Sequence, residues 1–118
     1  MNEIKLGERS IGADFLPFVI AELSGNHSQQ LDVAMSMVEA AAKAGAHAIK
    51  LQTFTADSMT LDVNNEHFVI HEEDSLWQGE SLHALYQKAA TPYAWHQPLF
   101  DKAKSLGMLA FSSPFDEQ

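Results

Sequence analysis

Three short stretches of this chain gather side chains that can do chemistry. The first is Glu22, followed by Ser24, Gly25, Asn26 and His27. A carboxylate, an amide and an imidazole this close together can move a proton, orient a water or hold a polar ligand. The second is Lys50, with Gln52 and Thr53 just behind it, and the third is Ser112-Ser113 ahead of Pro114. Each stretch follows an apolar run: Phe18-Val19-Ile20-Ala21, then Ala46 to Leu51, then Met108 to Phe111. Short apolar runs suit strands buried on both faces. In parallel α/β folds, ligands bind at the carboxyl ends of such strands.

The intervening segments read as the elements that must position these groups. Ile4, Leu6 and Ile11 around Gly7-Glu8-Arg9 predict a small hairpin within residues 1–16. Leu31, Ala34, Met35, Val38, Ala41 and Ala42 recur at helical spacing, with Ser28 as the expected N-cap, Lys43 in the last turn and Gly45 just beyond. A strand, this helix and a second strand within about 30 residues make a βαβ unit, whose parallel strands would set Lys50 beside Glu22. Residues 53–80 lack periodicity, and a connection that long usually carries function or small elements of its own. His67 and His71 with Glu72 and Glu73 in this segment do not match a zinc-site spacing. Ser81–Ala90 predicts a short helix. Thr91-Pro92 predicts the start of another, in which Pro98 should force a kink or restart.

Composition narrows the class. The chain has 118 residues, no cysteine, and 16 acidic against 7 basic residues, for a net charge of −9. Disulfide and thiolate chemistry are excluded. Nucleic acid is not an expected partner, because phosphate backbones require clustered Lys and Arg. An anionic small molecule needs local cations to overcome the overall field, which draws attention to Lys50. No run approaches a membrane span and the first residues lack the order of a signal peptide, so a soluble cytoplasmic protein with no membrane partner is expected. The pattern of hairpin, β, α, β, long loop, α, β predicts an α/β fold, namely part of a (β/α)8 TIM barrel with about the first three βα units. A doubly wound sheet is the competitor, but Ser24-Gly25-Asn26 is not a G-x-G-x-x-G phosphate loop. A full barrel needs about 250 residues, so the chain reads as a fragment, with residues 17–118 holding the barrel strands and helices.

Ile20-Ala21-Glu22-Leu23-Ser24-Gly25-Asn26-His27 resembles the first-strand motif of the sialic acid synthase family. Ile49-Lys50-Leu51-Gln52-Thr53 and Phe111-Ser112-Ser113-Pro114-Phe115-Asp116 resemble its second- and third-strand motifs. The three occur in order and at matching spacing. Within the family, Ser75-Leu76-Trp77-Gln78-Gly79-Glu80 and Thr91-Pro92-Tyr93-Ala94-Trp95-His96 resemble the pseudaminic acid branch. The resemblance implies condensation of phosphoenolpyruvate with an open-chain N-acetylated aldose, with release of phosphate. It also implies a divalent metal, Mn2+ or Mg2+, held by histidines of later strands that this chain lacks. An antifreeze-like C-terminal domain and a homodimer, both beyond this stretch, are implied as well.

By the same resemblance Glu22 is the expected catalytic group, and Lys50, Gln52 and Ser112 are expected to bind phosphoenolpyruvate. Asn26, His27, Thr53, Trp77, Glu80 and Ser113 are expected to meet the sugar. No metal ligand is expected within the chain. Two other readings compete: an N-acetylneuraminate or legionaminate synthase, and a catalytically inactive piece that serves folding or association. For Lys50 the plain alternative is an ion pair with Glu22 that only satisfies the sheet end, and for His27 a turn histidine with no ligand.

Overall fold

The computed structural model describes residues 2–117. A two-stranded antiparallel hairpin, β1 (Ile4–Leu6) and β2 (Arg9–Ile11), opens the chain and turns at Gly7, whose φ of +59° is one that side-chain-bearing residues rarely adopt. Three further strands, β3 (Ile20–Leu23), β4 (Ala48–Thr53) and β5 (Leu109–Pro114), form a parallel sheet in the order β3-β4-β5. Helix α1 (Leu31–Lys43) connects β3 to β4. Between β4 and β5 lie α2 (Ala56–Met59), α3 (Leu82–Ala89) and α4 (His96–Ser105), with 3-10 turns at Glu66–Phe68 and Tyr93–Trp95. The fold is therefore α/β with a parallel sheet. Among the described residues no helix is long and apolar enough to cross a membrane.

One hydrophobic cluster holds the sheet to its helices. Ala34 and Val38 of α1, Leu99 and Ala103 of α4, and Leu23, Ile49 and Leu51 of the strands are all buried in it. The apolar stripe of α1 thus packs where its spacing predicts. Successive strand residues point to opposite faces. Ala21, Leu23, Ile49, Leu51 and Ala110 therefore face the helices, and Glu22, Lys50, Gln52 and their register partners face the other way.

Several local expectations are corrected. The run from Phe18 is not a strand buried on both faces. Val19 and Ile20 are exposed and only Leu23 is buried, because β3 is an edge of this sheet and β4 its centre. Ser28 does not cap α1. Ser28 and Gln29 adopt φ of +53° and +56°, and the helix begins two residues later, after Gln30. Thr91 does not cap the following turn either, since its hydroxyl is engaged by His27. Pro98 falls in the first turn of α4, where no intrahelical donor is needed, so the restart occurs just upstream of it. Finally, β5 extends past the apolar run that ends at Phe111, through Ser112 and Ser113 to Pro114.

Candidate active site

The parallel register of β3 and β4 sets Glu22 directly opposite Lys50. Lys50 Nζ lies 2.8 Å from Glu22 Oε2, and Gln52 Nε2 donates to Glu22 Oε1 at 2.9 Å. Both carboxylate oxygens are thus held by neighbours on the same face. Ser113 stands across from Gln52 on β5, again on that face. Lys50 and Glu22 both remain partly open to solvent. The arrangement offers a cation, a fixed carboxylate and amide and hydroxyl donors to whatever approaches this side of the sheet.

Gln52 also borders a cleft of about 490 Å³. Its polar edge is Ser24, Asn26 and Gln52, and its apolar wall includes Trp77, Tyr86 and Phe115. Phe54 stacks edge-on against both Tyr86 and Phe115 with ring centroids 5.8 Å apart in each case, which braces the wall. Asn26, Gln52 and Trp77 are therefore brought together at one cleft, next to the Glu22–Lys50 pair.

Four other expected residues stand elsewhere. Thr53 and Ser112 are on the helix side of the sheet. The Thr53 hydroxyl contacts His96 Nε2 at 2.6 Å and the Ser112 hydroxyl, and Ser112 Oγ donates to Leu51 O at 2.9 Å. They tie the strand ends to α4 from behind the cluster. Glu80 pairs with Lys88 of α3 and does not line the cleft. His27 is fully buried and packs edge-on against Trp95. Its Nδ1 accepts from the Gln29 N–H at 3.2 Å, which leaves the proton on Nε2 to donate to Thr91 Oγ1 at 3.0 Å.

Burial pushes the His27 pKa below its ordinary value. Below about pH 6.5 the unfolded chain takes up a proton that the folded chain refuses, so stability is full above that pH and declines beneath it. The unfolding free energy measured by denaturant titration between pH 8 and pH 5 is expected to fall with a slope of at most about 1.4 kcal/mol per pH unit from this group, and His27→Gln should flatten that component. An unchanged slope in the variant would remove His27 from the pH dependence.

Two features have no local signature in the chain. The aromatic wall formed by Phe54, Tyr86 and Phe115 arises from three separate elements. His83, buried on α3, lies 2.7 Å from Asp57 and 3.6 Å from Asp62 and so fastens α2 and the loop after it to α3. A lone histidine at a helical position carries no such signal in the sequence. Among the described residues no group of three His, Cys, Asp or Glu side chains is placed to hold a metal ion. The stretch therefore does not fit as a complete metal centre.

The sequence matches the NeuB family over residues 37–118. It is 48% identical over 101 residues to the pseudaminic acid synthase of Campylobacter jejuni subsp. jejuni serotype O:2, covering 86% of this chain and 29% of that protein. It is 45% identical over 102 residues to the pseudaminic acid synthase of Helicobacter pylori, with the same coverage of 86% and 29%. Its fold is similar to that of the N-acetylneuraminic acid (sialic acid) synthetase from Leptospira borgpetersenii, with a TM-score of 0.75 and 28% identity, covering 98% of this chain and 35% of the other. The chain thus spans about 29% of the length of the curated relatives it matches.

Proposed function

The chain belongs to the NeuB family, and from that premise we propose that it forms part of a (β/α)8-barrel synthase making pseudaminic acid. Phosphoenolpyruvate condenses with open-chain 2,4-diacetamido-2,4,6-trideoxy-altrose. C3 of the enol forms a bond to the aldehyde carbon, water adds at C2, and phosphate leaves with its bridging oxygen as the C2–O bond breaks. The observation that carries this reading is the Glu22–Lys50–Gln52 cluster bordering the cleft. The sequential strand order, with α1 and α4 packed on one face, supports the barrel.

In this reading Lys50 receives the anionic end of phosphoenolpyruvate, with Gln52 and Ser113 as hydrogen-bonding neighbours. Glu22 orients the attacking water or moves its proton. The amide of Asn26 meets an acetamido group, and Trp77 and Tyr86 cover the methyl-bearing faces of the sugar. Thr53, Ser112, His27 and Glu80 act behind or beside the site as structural supports. The divalent cation that the resemblance implies is left to residues outside this stretch. Cytoplasmic location and a homodimer complete the proposal.

Phosphate release by the protein that carries this sequence, assayed with phosphoenolpyruvate, manganese and each candidate sugar, tests the reading. The diacetamido-altrose sugar is expected to outcompete N-acetylmannosamine and the legionaminate precursor, and the reverse order would overturn the assignment. Trp77→Ala should raise the sugar KM about tenfold, as loss of one aromatic contact of about 1.4 kcal/mol would, while the phosphoenolpyruvate KM stays put. Equal changes in both would place Trp77 in the stability of the loop.

A further inference from the structure

The turn that carries Asn26 and the helix that carries Tyr86 both line the cleft, and three contacts tie them together. His27, fully buried, reaches the Thr91 hydroxyl 64 positions further along the chain. Gln29 donates both hydrogens of its amide nitrogen, to Lys88 O at 2.6 Å and to Ala90 O at 2.7 Å. Gly25 approaches α3 so closely that a Cβ there would stand 2.6 Å from Ala89 Cβ.

The carbonyls that Gln29 reaches are those the end of a helix leaves without donors. The residue four beyond Lys88 is Pro92, which has no N–H to offer. Gln29 adopts a left-handed backbone, at φ +56°, to make these bonds. A non-glycine residue takes up that conformation only against resistance, and the two bonds offset it.

We propose that His27, Gln29 and Thr91 are positioning residues, a latch that sets the width of the cleft between Asn26 and Tyr86 without touching substrate. The inference rests on the cleft being the sugar side of the proposed site. Asn26 adjoins His27 in the chain and Tyr86 lies one helical turn before Ala90, so slack at the latch displaces both walls. Glu22 and Lys50 are held separately, by the β3–β4 register. Loosening the latch therefore weakens sugar binding and spares phosphoenolpyruvate binding.

The test uses Thr91→Val, which keeps the shape and removes the hydroxyl, beside Thr91→Ser, which keeps it. Gln29→Glu keeps the length and sets an acceptor against two carbonyls. Gln29 is exposed, so this variant remains informative should Thr91→Val unfold. Thr91→Val and Gln29→Glu are each expected to speed hydrogen exchange of the α3 amides about tenfold, the loss of about one net hydrogen bond. Exchange in β4 should not change. Both should raise the sugar KM several-fold at constant phosphoenolpyruvate KM, and Thr91→Ser should restore it.

Unaltered α3 exchange overturns the latch. Faster exchange with an unmoved sugar KM makes the bonds merely structural and overturns the positioning role. A wild type inactive on every N-acetylated aldose overturns the reading of the cleft instead, and α3 exchange then decides the latch by itself.

Discussion

Lys50→Ala is expected to lower phosphate release by about a thousandfold, equivalent to roughly 4 kcal/mol of barrier. Lys50 is the sole basic residue among the described strand positions that share a face with Glu22; the others there are Ile20, Ala48, Gln52, Leu109, Phe111 and Ser113. In a chain of net charge −9, removing it leaves an anionic ligand facing a carboxylate with no compensation on this sheet. The fold should survive, because a partly exposed ion pair contributes at most about 1 kcal/mol. Melting of the variant therefore separates the two effects. Lys50→Arg retains the charge but presents a planar fork where a compact ammonium stood, so partial activity is expected. Turnover unchanged in Lys50→Ala would confine Lys50 to neutralising Glu22.

Leu51→Ala is expected to produce the largest loss of stability, about 3–4 kcal/mol, through the cavity it leaves in a fully buried site. Leu51 lies on the central strand within the cluster that includes Val38 and Leu99, and its carbonyl also accepts the Ser112 hydroxyl. A loss of that size is a large share of the 5–15 kcal/mol typical of whole domains. Denaturant midpoints should show it beside Val19→Ala, which truncates an exposed apolar side chain and should cost little. Equal losses at the two positions would refute the burial pattern of the sheet.

The Glu22–Lys50 contact was legible in the sequence because a βαβ unit of ordinary length leaves few registers for two short strands. The apolar face of α1 was legible for the same kind of reason, a period that only one structure satisfies. What adjacency in the sequence hid was which side of the sheet each residue faces. Gln52 and Thr53 are neighbours in one motif yet point to opposite faces of β4, and Ser112 and Ser113 do the same on β5. Apolarity stops at Phe111 and marks neither serine as a strand residue, whereas the ladder continues to Pro114. His27 sits in a polar run and reads as a turn residue. Its burial depends on Thr91 and Trp95, contributed from far along the chain, and no local pattern announces such partners. The aromatic wall of the cleft was hidden for the same reason.

The alternation along β4 has an evolutionary consequence. Even-numbered positions of that strand face the side of the proposed site, and odd-numbered ones face the helices. If the proposed function holds, a library that varies Gln52, together with Ser113 across the ladder, is expected to sample new ligand preferences without editing the interior. Insertion or loss of one codon within β4 would exchange the two sets at a stroke, burying Lys50 and exposing Leu51. Point substitutions can therefore diversify specificity in this segment while indels are purged, and descendants should differ in side chains far more readily than in strand length.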